Sequence, residues 1–322
     1  MTRFTPGGCH GSAAVRCLRV RRPRAKGDQL NTTEVFAEHR PLLFTLAYEI
    51  LGSAADAEDV VQESYLRWIT AGEVTHPHAY LVQIVTRQAL NALRSSRRRR
   101  EDYVGNWLPE PIQTASDVSE DAVLAESVSM AMLLVLETLS PDERVVFVLN
   151  EVFGYSHPEI ALVVGKSDST VRQIAHRARE HVQARRRRFT PDRQLARATV
   201  TKFLRAAHTG DIDGLVAVMA PEIVAVSDGG GQVSAARRPV VGRRRVAQFM
   251  AGLARGSMAG FDIAFATYNS MPAVLFHQDG TLDSVLLIEV TDGLVSALYA
   301  MRNPDKLRDA AALRTLTRQQ ED

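Results

Sequence analysis

Cysteine is nearly absent: the 322 residues hold only Cys9 and Cys17, with His10 as the one other metal-ligand type beside them. A metal site needs more ligands at tighter spacing, and a secreted scaffold needs more cysteines, so neither a zinc module nor a disulfide framework is expected. No apolar run approaches the roughly 20 residues of a membrane span. The basic N-terminal stretch (Arg16, Arg19, Arg21, Arg22, Arg24, Lys26) lacks the apolar core of a signal peptide. A cytoplasmic protein with no metal, cofactor or membrane partner is therefore expected. Internal repeats are lacking, and so is the GxxxxGK[ST] pattern of a phosphate-cradling loop.

What is present is ordinary globular material. At 45% hydrophobic residues there is enough apolar surface for real cores, and the length suggests two or three domains. The net charge of +2 averages over uneven segments: arginine runs at 97–100 and 185–188 stand against an acidic stretch between Glu101 and Glu126. Such unevenness points to an anionic partner touched at chosen places.

Residues 1–29 have few apolar anchors and are expected to be a disordered basic tail. Helical spacing starts at Asn31, where Asn31-Thr-Thr-Glu34 resembles a capping box, and Gly52-Ser53 ends that helix. A second helix is expected over Ala54–Thr70 and a third from Pro77 to Arg100. Between residues 101 and 118 the periodicity fails, and Pro109 and Pro111 imply a flexible, acidic, extended connector. Helical pattern returns over 119–188, with Ser140-Pro141-Asp-Glu143 reading as a helix start. Residues 192–322 read as a separate α+β domain. Helices are expected near 192–208 and 211–219, and strands at 222–227, 261–267, 273–277, 284–290 and 294–300.

Residues 141–188 carry the strongest functional pattern. Ser156 can cap a short helix that Gly165 ends, and Ser167-Asp-Ser-Thr170 opens a second with Val171, Ile174 and Ala178 inward. That is helix-turn-helix spacing, which lays the second helix in a major groove. Its outer face offers Ser169, Thr170, Arg172, Gln173, His176, Arg177 and Arg179 to bases and phosphates. A helical hairpin with a solvated basic face is the plainer alternative.

Here the residues reach a resemblance. Leu139-Ser-Pro-Asp-Glu-Arg144, Phe153-Gly-Tyr-Ser156, Glu159-Ile-Ala161 and Ser169-Thr-Val-Arg172 resemble region four of the extracytoplasmic-function sigma factors, members of the sigma-70 family. Asp56-Ala-Glu-Asp-Val-Val-Gln-Glu63 with Tyr65-Leu-Arg-Trp68 is similar to that family's region two. The resemblance implies two all-α regions and no covalent chemistry. It implies binding to core RNA polymerase, both at the beta-prime clamp helices, through Asp56, Asp59, Gln62 and Glu63, and at the beta flap. It also implies promoter reading: the minus-35 element by the second helix of region four, and the minus-ten element by the segment His78 to Arg97, with Asn91, Arg94, Arg97 and the following Arg98 on the DNA. Ser95 stands where many members carry Asp.

Tyr103-Val-Gly-Asn-Trp107-Leu-Pro109-Glu-Pro111, Asp228-Gly229-Gly230-Gly231 and Asn303-Pro304-Asp305-Lys306-Leu307 resemble the members that end in a SnoaL-like extension. Gln232 replaces the usual lysine. The resemblance implies a cone-shaped α+β domain of the NTF2-like superfamily that regulates the sigma core in cis; contacts of these two motifs with region two or with the connector, at Trp107 and Pro109, are the expected means. A small ligand in the cone is a further expectation. Two rival readings stay open: a stand-alone helix-turn-helix regulator, and a fused isomerase or cyclase drawing on Asp211, Asp213, Asp228, Asp262, Tyr268, His208 or His277.

Overall fold

The computed structural model describes residues 28–115, 121–185, 193–257 and 260–318. The expected tail, up to residue 27, lies outside them. Helix α1 (Asp28–Leu51) starts ahead of Asn31, so the expected capping box is helix interior; no breaker follows Gly27 in the sequence to delay the start. Gly52, at φ 67°, ends α1. Ser53 then caps α2 (Ala54–Thr70) by accepting from the Asp56 N–H at 3.0 Å. Pro77 opens α3 (Pro77–Glu101). These helices bury Leu43, Ile50, Val61, Trp68, Leu81 and Val85, and the Trp68 indole N–H donates to the Thr32 carbonyl at 2.8 Å.

The second helical set is α4 (Ala122–Ser127), α5 (Met130–Glu137), α6 (Pro141–Phe147), a π-helical stretch Val148–Val152, α7 (His157–Val164) and α8 (Asp168–Arg185). Ser140 with Glu143 and Ser156 with Glu159 form reciprocal capping boxes, which fix where α6 and α7 begin. The two sets share one interior: Leu46 and Tyr48 of α1 belong to the same buried cluster as Val145, Leu149, Ile160, Val171 and Ile174.

The C-terminal part comprises α9 (Arg193–Thr209), α10 (Ile212–Val218), β2 (Met219–Asp228), β3 (Val240–Val241), α11 (Arg243–Ser257), β4 (Asp262–Tyr268), β5 (Met271–Gln278), β6 (Thr281–Thr291), β7 (Leu294–Met301), α12 (Pro304–Leu307) and β8 (Leu313–Arg314). The expected α+β class is found. Three two-residue turns with positive φ (Asn269-Ser270, Asp279-Gly280, Asp292-Gly293) join β4 to β7 into antiparallel hairpins. Helix α11 has no counterpart in the sequence reading. Three arginines in its first turn oppose the helix dipole, so the usual start signal is missing.

The connector is extended, as its prolines require, but it is pinned rather than free. Its residues Gln113–Thr114 form β1, which joins the C-terminal sheet in the order β3-β2-β7-β6-β5-β4-β1-β8. One face of that sheet packs Ile223, Ile288 and Leu298 against Phe203, Leu215 and Val246 of its own helices. The other face packs Val285, Leu287 and Met301 with Leu108 of the connector and Met130 of α5. The helical part and the C-terminal domain are thus joined through a buried apolar face.

Candidate nucleic-acid interface

Helix α8 turns Val171, Ile174, Ala175, Ala178 and Val182 inward. Its outer face leaves Ser169, Thr170, Arg172, Gln173, His176 and Arg177 exposed, the arrangement a groove-reading helix needs. Arg172 pairs with Asp168 one turn back at 2.8 Å, an exposed contact of little strength. Arg179 departs from the expected set. Its guanidinium reaches Glu151 at 2.6 Å and Asn150 at 3.3 Å, so it braces α8 against the π-helical stretch.

On α2, Asp59, Gln62 and Glu63 are exposed and Asp56 is half-buried. Leu66, 55% exposed, sits among them with Ile69 beside it. Carboxylates around a bare apolar side chain suit a basic protein partner.

Helix α3 is differently placed. Asn91 is exposed, but Arg94 pairs with Asp142 of α6 at 2.7 Å. Arg87 donates to the Val163 and Leu162 carbonyls at 2.8 and 3.2 Å, Gln83 donates to Leu162 at 3.2 Å, and His78 meets the Tyr155 hydroxyl at 2.9 Å. The C-terminal carbonyls of α7 therefore occupy donors along α3. The side chains of Arg97 and Arg98 lie outside the described residues.

The regulatory residues converge at a junction. Asp228 is fully buried. Its Oδ1 accepts from the Tyr103 hydroxyl at 2.5 Å and the Gly230 N–H at 3.0 Å, and its Oδ2 from the Leu108 N–H at 2.9 Å and Lys306 Nζ at 2.8 Å. Burial pushes the Lys306 ammonium down, and the Asp228 carboxylate holds it up. Lys306 also donates to the Leu108 carbonyl at 2.6 Å, and Asn303 donates to the Tyr103 hydroxyl at 2.7 Å. A Cβ at Gly230, at φ 60°, would meet the Asn303 amide nitrogen at 2.4 Å, so the loop needs glycine there. Gln232 donates to Asp305 at 2.7 Å. Pro109 is buried and Pro304 exposed; Gly229 and Gly231 pack against Val233 and Val104.

From there a polar chain crosses into the helices. Trp107 lies between two cations, Lys306 Nζ 4.3 Å and the Arg100 guanidinium 3.8 Å from its ring centre. Arg100 donates to the Leu51 carbonyl at 2.7 Å and pairs with Glu137, which also holds the buried Arg144. Arg144 donates to the Glu49 carbonyl at 3.0 Å. The Glu110 carboxylate accepts from Ser53 at 2.7 Å and from the Ala55 N–H at 3.0 Å, which ties the connector to the start of α2.

Two further links were not read from the sequence. Asn269, buried at the β4–β5 turn, accepts from the Ile112 N–H at 3.1 Å and donates to the Tyr48 hydroxyl at 2.7 Å and the Val128 carbonyl at 2.9 Å. Strand β8 and the segment after it bury Leu316 in the helical core and pair Arg314 with Glu58 and Arg318 with Asp121. The left-handed Asn-Ser turn was the available signal for the first; the second had none.

Of the residues considered for catalysis, Asp211 caps α10 at 2.9 Å, Asp228 is held as above, and Asp262 faces His277 across β4 and β5. The cavity of about 240 Å³ between α5 and the sheet is lined by Met132, Leu134, Val226, Glu289 and Tyr299, and by none of the candidates. Among the described residues no helix is long and apolar enough to cross a membrane, and no group of three or more His, Cys, Asp or Glu is placed to hold a metal ion.

Residues 35–99 match the family Sigma-70 region 2, and residues 129–182 match Sigma-70, region 4. The chain is 37% identical over 285 residues to the ECF RNA polymerase sigma factor SigJ of Mycobacterium tuberculosis, covering 84% of this chain and 91% of that one. It is 30% identical over 275 residues to the probable ECF RNA polymerase sigma factor SigI of the same organism, covering 84% and 92%. The crystal structure of Mycobacterium tuberculosis SigJ superposes with a TM-score of 0.69 at 32% identity, covering 88% of this chain and 99% of that one.

Proposed function

This chain belongs to the extracytoplasmic-function RNA polymerase sigma factors, and on that footing we propose that it directs promoter-specific initiation from a closed form that its own C-terminal domain stabilises. Core polymerase performs the synthesis; this chain supplies recognition and local strand opening, inside the cell where polymerase works. The acidic face of α2, with Asp56, Asp59, Gln62 and Glu63 around Leu66, takes the beta-prime clamp helices, and region four takes the beta flap. Arg172, Gln173, His176 and Arg177 of α8, with Ser169 and Thr170, read the minus-35 duplex, while Asn91, Arg94, Arg97 and Arg98 of α3 take the minus-ten strand.

One observation carries the regulatory part. The outer face of α8 is open, whereas Gln83, Arg87 and Arg94 of α3 are engaged by α6 and α7. In this form the minus-35 reader is available, while Arg94 of the minus-ten set is paired and the α3 positions before it, Gln83 and Arg87, are covered by α7. The Asp228–Gly231 and Asn303–Lys306 segments hold the connector, and through Trp107 and Arg100 the connector holds both helical sets. Any effector, including a small ligand of the C-terminal domain, acts by binding the closed and opened forms with different strength.

The test is run-off transcription with core polymerase on a pool of genomic fragments, comparing the full chain with one ending at Arg188. Specific transcripts that depend on the protein, and that differ between the two chains, support the reading. Specific duplex binding with no polymerase binding by either chain would point instead to a stand-alone regulator.

A further inference from the structure

Arg237, Arg238, Arg243, Arg244 and Arg245 are all exposed, and among the described residues none has a carboxylate partner. In the same domain Arg302 pairs with Asp283, Arg308 with Asp305, Arg314 with Glu58 and Arg318 with Asp121, whereas the exposed Arg197 and Arg205 of α9 are single cations set apart from this cluster in the sequence. The five flank the edge strand β3 on both sides. Glu222, exposed at the head of β2, is a carboxylate on the neighbouring strand and makes no ion pair with them.

The fold does not need these charges and is strained by them. Arg243–Arg245 form the first turn of α11, with no acidic residue there, so three adjacent cations sit at the positive end of a helix dipole. Such local conflict is expected where function requires it. The location supplies the function. Arg185, the last residue of α8, lines the same cavity as Val224 and Val226 of β2, and Val224 pairs with Val241 of β3, between the two arginine groups. In the sequence Arg186, Arg187 and Arg188 continue from Arg185. The DNA-reading helix thus ends beside this sheet edge.

We propose that Arg237, Arg238 and Arg243–Arg245 form a phosphate-binding patch with which the C-terminal domain grips the duplex backbone next to the DNA read by α8. Guanidinium forks match phosphate oxygens and carry no base preference. The occupant is duplex rather than single-stranded nucleic acid, because residues 237–245 contain no aromatic side chain on which an unpaired base could stack. The patch makes the domain a contributor to DNA affinity as well as a brake. It rests on the reading of α8 as a DNA-binding helix and is independent of the closed form.

The experiment is fluorescence anisotropy of the full chain on a labelled duplex spanning several helical turns, over a KCl series. Each phosphate contact contributes about 0.9 to the slope of log K against log[salt]. R243A/R244A/R245A is expected to lower that slope by about 2 to 3, and R237A/R238A by about 1 to 2. Melting temperature should hold or rise, since the removed cations oppose the α11 dipole. R237A/R238A lies outside any helix and judges the proposal even if the triple variant misfolds. R172A on α8 is the control. Loss of binding with R172A but an unchanged slope in both patch variants overturns the patch; no effect of R172A removes instead the reading of α8.

Discussion

Replacing Tyr103 by Phe removes one oxygen at the point where the connector meets the C-terminal domain. That hydroxyl donates to Oδ1 of the fully buried Asp228 and accepts from Asn303. Burial, with the Asp228 carboxylate beside it, holds the phenol well above its ordinary pKa, so it remains a donor at working pH. A hydrogen bond to a charged group contributes about 1.5–3 kcal/mol, and its loss also leaves the Asn303 amide short of an acceptor. Both partners belong to the C-terminal domain and Tyr103 to the connector, so the loss falls on docking and not on the interior of either part. About 1.5–3 kcal/mol corresponds to a roughly 10- to 150-fold shift from closed toward opened molecules. Hydrogen exchange of residues 102–115 should accelerate accordingly, and run-off transcription should rise at limiting protein. Phe preserves the ring near Lys306, so unchanged exchange with unchanged transcription would refute the assignment of Tyr103 as a latch.

Asn269→Ala removes the partner of Ile112, Tyr48 and Val128 at once, and each buried group left unsatisfied costs about 1–3 kcal/mol; proteolysis within the connector should become markedly faster. Glu49, buried between α1 and α4, is pushed up to about 8 by desolvation, against a hydrogen bond from Ser127 and the charge of Arg144. A carboxyl raised in the folded state contributes stability that is full below its ordinary pKa and lost as pH rises toward 8. The urea midpoint should therefore fall from acid to neutral pH, with a flatter profile in Glu49→Gln. Ending the chain after Ala312 removes Leu316 from the helical core along with the Arg314–Glu58 and Arg318–Asp121 pairs. Loss of a buried leucine side chain alone costs about 2–5 kcal/mol, so pull-down with core polymerase should strengthen; unchanged capture would refute a role for this segment in holding the helices shut.

Local chemistry was readable in the sequence, and contacts across the fold were not. The starts of α6 and α7 follow from capping boxes confined to four residues, and the strands of the C-terminal domain follow from alternation punctuated by Asp-Gly turns. Asp228, Asn303 and Lys306 stood out through motif resemblance. Their joint grip on Tyr103 and Trp107 spans up to 200 positions and leaves no local trace. Asn269 reaches Tyr48 across 221 positions, so nothing beside it could announce that it plugs the junction. Arg179 shares the outward spacing of the DNA-facing residues, yet Glu151, 28 positions earlier, turns it to a structural contact. The connector's prolines correctly implied extension. Extension was read as freedom because a strand's partners, here β4 and β8, come from far along the chain.

The closed form itself is tested most directly by a distance. With Cys9 and Cys17 replaced by Ser, spin labels at exposed Glu73, after α2, and Glu180, on α8, report the separation of the two helical sets by pulsed electron paramagnetic resonance. The free protein should give one narrow distribution, Tyr103→Phe should add a longer component, and core polymerase should convert the population to the longer distance. A broad distribution in the free wild-type protein, or the same narrow one with and without polymerase, would contradict a sigma factor held shut by its own C-terminal domain.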